Sequence, residues 1–205
     1  MATSRGRPRS TEIDDAVRAA AAESLDRDGY AGVVIEDVAR RAGVSKTAVY
    51  RRWPNRRELT LAVLQDRLGR IETPETGCTL CDVHEALVLV TEATCSLGAG
   101  TLAQLIAEGV DEALSEVALE PPRRAVHRLL FAARGRGDLR ADVDLRLATD
   151  SLISLVFYRL LLGEDPMSAD EIETVVIAVL RGLAADPAEL LREYTTHTAH
   201  TEHQP

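Results

Sequence analysis

Apolar side chains recur along this chain three and four positions apart, and no stretch between turn residues keeps up a strict apolar–polar alternation. A spacing of three and four lines one stripe of an α-helix, whereas a half-buried strand needs a period of two. Ala and Leu dominate the apolar content, and aromatic residues make up 3% of the chain. The expected class is therefore all-α, with about nine helices. Over 205 positions, 45% apolar and 28% charged residues exclude a chain disordered throughout. That length leaves room for one large or two small domains.

Turn residues divide the pattern. A first helix is expected from residue 10 or 11, where Thr11 and Asp14 fit a capping box, to a stop at Gly29. A second covers residues 35–42, with Glu36 and Asp37 against its amino-terminal dipole. After Gly43 a third runs over residues 46–53 with Ser45 as its cap, and Pro54 ends it. Asn55 opens a fourth toward Gly69. Residues 73–77 hold a Pro, a Gly and two Thr, which places a domain boundary near residue 75. Further helices are expected over residues 80–97, 101–119, 122–134, 144–162 and 169–183, with a break at Glu120 and Pro121 and another at Asp186 and Pro187, after which a short helical piece is expected. The resulting domains are residues 10–75 and 76–194, between a flexible basic arm (1–9) and a disordered tail (195–205).

A formal net charge of -9 argues, as an average, against a partner made of nucleic acid. The average conceals a division: residues 1–58 carry +3 and residues 59–205 carry -12. Between positions 40 and 57 stand seven positive side chains and no acid. Here lie two short helices joined by a Gly-containing turn, the sequence form of a helix-turn-helix, over about residues 34–53. Its second helix must enter a major groove about 12 Å wide, so one side needs polar and cationic groups. The other side must pack on the first helix, for which Val49 and Trp53 are spaced four apart. Gly43 tolerates a positive φ in the turn, and a buried Val44 would fix the angle between the helices. Flanking cations supply counterion release, the sequence-independent part of DNA affinity. The competing reading is an ordinary solvated basic face.

From Val38-Ala39-Arg40-Arg41-Ala42-Gly43-Val44-Ser45-Lys46 through Thr47-Ala48-Val49-Tyr50-Arg51-Arg52-Trp53-Pro54-Asn55 to Leu59, the chain resembles the DNA-binding domain of the tetracycline-repressor family. The match extends back through Asp28-Gly29-Tyr30 to Ile13, and Asp138-Leu139-Arg140 and Phe157–Leu161 are similar to one branch of it. The resemblance implies that Ser45, Lys46 and Thr47 open the recognition helix, with Lys46 and Thr47 toward base edges. It also implies that Tyr50 and Arg51 or Arg52 face phosphates, and that Arg56 holds the backbone. Ala48 and Val34 depart from the family pattern, which commonly has hydroxyl residues there. Arg5 and Arg7, within Arg5-Gly6-Arg7-Pro8-Arg9, resemble a minor-groove arm, with a basic tail of no base preference as the alternative.

A protein reading an inverted repeat in double-stranded DNA needs two copies, so the acidic half is expected to form a homodimer. The apolar run at residues 152–162 and the stripe at 172–183 suggest a four-helix interface that includes Leu155, Arg159, Val176 and Leu180, with a core internal to one copy as the alternative. Arg159 is expected to pair with an acid across that interface or else to meet an anionic ligand group. The resemblance further implies an effector pocket, with Phe131 and Phe157 as candidate linings for a small apolar molecule. Cys78 and Cys81 have C-x-x-C spacing with His84 nearby, which allows zinc or redox chemistry, but an ordinary helix start is the simpler account. No metalloprotease, nucleophile-elbow or phosphate-loop pattern is present, so no catalytic residue, metal or cofactor is assigned. No apolar run follows the amino terminus, which points to a cytoplasmic chain with no membrane partner. The expected function is a sequence-specific transcriptional regulator, a repressor released from a palindromic operator by its effector. A ligand carrier or enzyme with an incidental helix-turn-helix is the alternative.

Overall fold

The computed structural model describes residues 8–69 and 71–201, and the arm bearing Arg5 and Arg7 lies outside them. Eleven α-helices follow in order among the described residues: α1 (Pro8–Asp28), α2 (Ile35–Arg41), α3 (Lys46–Tyr50), α4 (Arg56–Leu68), α5 (Thr79–Cys95), α6 (Ala99–Glu108), α7 (Glu112–Leu114), α8 (Glu120–Arg136), α9 (Leu145–Leu162), α10 (Ala169–Leu183) and α11 (Pro187–Thr201). Extended pairing among the described residues is limited to one antiparallel bridge between Leu139 and Ala184. The class is all-α.

The chain forms two compact units, and the first is discontinuous. It comprises the described residues up to Arg67 together with Leu97–Ala118. Here α1 buries Val17, Ala21 and Leu25, spaced by four, and packs on α2 and on the 3-10 turn Tyr30–Gly32. Gly29 (φ 68) ends α1, its N–H reaching the Leu25 carbonyl at 2.9 Å. The expected capping box at Thr11 and Asp14 is not the start of this helix, which already begins at Pro8; Asp14 pairs instead with Arg52.

The helix expected over 101–119 is interrupted. α6 stops at Gly109, whose φ of 126 suits glycine, and the chain resumes where the Asp111 carboxylate accepts the Leu114 N–H at 2.8 Å. From α7 the chain passes through a π turn (Ser115–Leu119) directly into α8. The break expected at Glu120 and Pro121 is therefore absent. Proline is tolerated here because Pro121 and Pro122 occupy the first positions of α8, just after the π turn has shifted the hydrogen-bond register.

The second unit holds Leu68–Ser96 and the described residues from Leu119 onward. α5 is its central helix: Leu80, Val83, Leu87 and Val90 are buried against α8, α9, α10 and α11. Those positions follow the three-and-four spacing read from the sequence. Beside the Leu139–Ala184 bridge, the Arg140 N–H donates to the Leu183 carbonyl at 3.0 Å. α11 continues to Thr201, into the stretch from residue 195 expected to be a disordered tail. Asp186 accepts the Ala188 and Glu189 N–H groups at 2.8 and 3.1 Å, so Asp186 and Pro187 start the helix expected after them, which is longer than a short piece. Leu190 is buried, and Leu191 and Tyr194 pack beside it.

Candidate nucleic-acid interface

The turn between α2 and α3 has the form the spacing predicted. Gly43 adopts φ 68, and the Val44 N–H donates to the Ala39 carbonyl at 3.0 Å. Ser45 caps α3, its hydroxyl accepting the Ala48 N–H at 3.2 Å. Val49 and Trp53 are buried, whereas Val44 is only half-buried and contributes less to the lock than expected. α3 ends at Tyr50, shorter than the expected helix to residue 53. It is followed by a turn in which the Arg52 and Trp53 N–H groups both donate to the Val49 carbonyl at 2.9 Å, and the chain leaves the helical path before Pro54. Val34 caps α2 with no side-chain bond, as its departure from the family pattern implied.

The seven cations of residues 40–57 do not form one exposed patch. Arg41 reaches inward to the Ser24 hydroxyl. Arg52, 18% exposed, pairs with Asp14 and donates to the Ala48 carbonyl at 3.2 Å. Arg57, 16% exposed, donates to the Leu105 and Gly109 carbonyls at 2.8 and 2.7 Å and pairs with Asp111 at 3.1 Å. It thereby closes the carboxyl end of α6. Arg56 stacks on the Tyr30 ring, 4.5 Å from its centre, and lies 3.4 Å from the Glu108 carboxylate. Arg40 is exposed beside Asp37, and Lys46 and Arg51 point to solvent.

The outward edge of α3 thus brings together Ser45, Lys46, Thr47, Tyr50 and Arg51. Arg52 and Arg56, also expected to face DNA, are held by partners within the unit. Sequence reasoning missed one member of this edge, Glu36. Its carboxylate lies 3.6 Å from the Lys46 ammonium and accepts from the Tyr50 hydroxyl at 3.3 Å. A hydrogen bond from its own backbone N–H at the start of α2, with Lys46 and Tyr50 adding to it, holds this carboxyl below the usual carboxylate range. Its signal in the sequence was read only as a favourable helix-dipole charge, since the fold that brings α2 beside α3 is needed to see the pairing.

In the second unit, Val176 and Leu180 are wholly buried in the unit's own core, so they are not available to a second copy. Leu155 and Phe157 are half-buried against the same core. The Arg159 guanidinium meets the Glu171 carboxylate at 2.9 and 3.2 Å within the chain, where a pairing between copies had been the expectation. The surface of α9 instead presents Leu147, Tyr158 and Leu161, together with Ser151 and Ser154 on one stripe. Phe131 is 60% exposed and lines a cleft of about 830 Å³ beside α8. Leu68, Ile71 and Ala125 also line it, as do Arg123, Arg124, Arg128 and Arg146. Among the described residues no helix alone is long and apolar enough to cross a membrane, and no group of three or more His, Cys, Asp or Glu is arranged to hold a metal.

Residues 17–63 match the family described as bacterial regulatory proteins, tetR family, and residues 73–179 match the tetracyclin repressor-like, C-terminal domain. A DNA-binding transcriptional repressor, TetR, of Mycobacteroides abscessus is 31% identical over 187 residues, covering 86% of this chain and 96% of its own. The HTH-type transcriptional regulator YdeS of Bacillus subtilis is 28% identical over 194 residues, covering 92% and 98%. The crystal structure of the TetR family transcription regulator SCO0332 superposes with a TM-score of 0.66 at 28% identity, covering 84% of this chain and 98% of the other.

Proposed function

This chain belongs to the tetracycline-repressor family of helix-turn-helix transcriptional regulators, and from that premise we propose that it is a repressor holding an inverted-repeat operator through Ser45, Lys46, Thr47, Tyr50 and Arg51. The observation that carries this reading is the α3 edge itself: polar and cationic side chains face solvent while Val49 and Trp53 anchor the opposite side. The sign of regulation rests on the relative from Mycobacteroides abscessus, whose name gives it as a repressor.

Family members act as dimers on DNA. In this chain the exposed stripe Leu147, Ser151, Ser154, Tyr158 and Leu161 on α9 is the surface for the partner copy, joined by Thr174 and Ala178 on α10. Leaving those leucines and the tyrosine in water is unfavourable, and a second copy covers them symmetrically. The effector enters the cleft beside α8. Phe131, Leu68 and Ala125 suit an apolar body, and Arg146 suits an acidic group, while Arg123 and Arg128 already pair with Asp150 and Glu75, so an amphipathic acid fits better than a purely apolar ligand. A cytoplasmic site of action accompanies this reading.

Footprinting on the DNA flanking the chain's own gene tests it. Two protected half-sites about 34–36 Å apart, lost when Lys46 and Arg51 are both replaced by Ala, is the expected result. Binding with no dependence on salt or sequence overturns it.

A further inference from the structure

The start of α5 carries chemistry that DNA reading leaves unused. Cys78 caps this helix, its sulfur accepting the Cys81 N–H at 3.3 Å, and the two side chains are joined as a disulfide. The loop leading to it is held separately. The Thr76 N–H, the Thr76 hydroxyl and the Gly77 N–H converge on the buried Asp82 carboxylate at 2.9, 2.7 and 3.2 Å. The Cys78 N–H donates to the Thr76 hydroxyl oxygen at 3.3 Å. These bonds fix the backbone around both cysteines whether or not the sulfurs are linked, so the reduced pair stays within reach of closure.

Cys78 also lies on the wall of a cavity of about 590 Å³, which is within the range of small-molecule sites. Gly77 and, from α11, Glu189, Arg192, Glu193, Thr196 and His197 complete the lining. Acidic and basic groups together suit a zwitterionic guest, such as a peptide bearing amino and carboxylate ends. Cys78 itself is 7% exposed, and Cys95 is half-buried, with burial pushing the Cys95 thiol above its ordinary value. A helix amino terminus favours a thiolate through its dipole and N–H donors, whereas apolar burial opposes one.

We propose that Cys78 and Cys81 form a reversible thiol–disulfide centre that exchanges with a small peptide disulfide seated in this cavity. In the oxidising direction the Cys78 thiolate attacks one sulfur of the guest disulfide. The guest S–S bond breaks, and one guest thiolate leaves and takes a proton from water. Cys81 gives its proton to water and attacks the Cys78 sulfur, and the second guest thiolate departs and is protonated in turn. Two protein thiols are thereby oxidised to the disulfide, and one guest disulfide is reduced to two thiols. An excess of the guest thiol drives the same steps backward. This centre stands independently of the DNA reading.

Oxidised glutathione is the probe, acting on the full chain after reduction and removal of the reductant, with intact-mass measurement. The expected wild-type product has lost two thiols and retains no adduct. Cys81→Ser traps one glutathione on Cys78, Cys78→Ser traps none, and Cys95→Ser behaves like wild type. Arg192→Glu slows adduct formation on the Cys81→Ser background several-fold but leaves its alkylation by iodoacetamide unchanged, which separates the cavity's contribution from intrinsic thiol reactivity. On the wild type, iodoacetamide labels Cys78 before Cys95, a readout that needs no variant to fold. A disulfide that resists excess glutathione, adducts on Cys95 in preference to Cys78, or zinc bound by the reduced pair in place of exchange would each overturn the proposal.

Discussion

The Tyr30 hydroxyl donates to the Glu108 carboxylate at 2.7 Å, joining positions 78 apart in sequence. Burial foremost, and then this bond, push the Tyr30 hydroxyl above its ordinary pKa, so it remains a donor throughout the neutral range. The same ring carries Arg56 on its face, and the adjacent Arg57 closes the end of α6. Tyr30→Phe keeps the packing and removes only the donor. It should lower the unfolding free energy by about 1 kcal/mol, read as a shifted urea midpoint with unchanged slope. An unchanged midpoint would mean that the bond contributes nothing.

Cations of the basic segment should separate into two classes by experiment. Lys46→Ala and Arg51→Ala should weaken operator binding, each reducing the salt slope by about 1 if its contact is a phosphate. Arg52→Ala should chiefly destabilise the fold, since it strands Asp14, and leave that slope unaltered. Equal slopes for Arg51→Ala and Arg52→Ala would contradict this partition.

Tyr158→Asp and Leu161→Asp should yield a folded monomer by light scattering, because both side chains lie on the exposed face of α9. DNA affinity should fall with dimerisation. Leu180→Ala acts differently: it opens a hole in the unit's own core and should cost about 2–5 kcal/mol of stability. A stable monomer from Leu180→Ala would reverse these assignments.

Acid should loosen the start of α10. Bonds from Arg159 foremost, and then the Ser168 N–H, hold the Glu171 carboxyl below its ordinary value of 4.5. A carboxyl depressed in the fold adds stability that is complete above the ordinary value and disappears as pH falls through the folded one. Thermal midpoints of the wild type and Glu171→Gln should therefore differ above pH 4.5 and converge in more acidic solution. A constant difference across that range would refute the linkage.

Local signals carried most of the fold and half of the site. Gly43, Ser45 and the Val49–Trp53 pair each act within a few residues, so the turn and α3 were readable from spacing alone. Glycine and proline placed most helix ends, but Pro121 marks no break, since a π turn precedes it and removes the usual conflict. The destinations of Arg41, Arg52, Arg56 and Arg57 were illegible, because each depends on a partner from another element. Arg159 met an acid as expected, but on its own chain, since the loop after α9 brings Glu171 back beside it. Val176 and Leu180 lie on the same sequence stripe as the half-buried Val175 and Val179. Hydrophobic spacing gives the width of a face, not which part of it the core covers.

Because Leu97–Ala118 belongs to the first unit, the DNA-reading head has no contiguous gene segment of its own. A ribosome must translate as far as Ala118, through the whole of α5, before the last segment of its architecture exists to be placed. A fragment ended near residue 75 would lack Glu108 and the carbonyls that Arg57 holds, and would leave Tyr30 without its acceptor. Domain grafts between relatives must therefore exchange two stretches of coding sequence, not one.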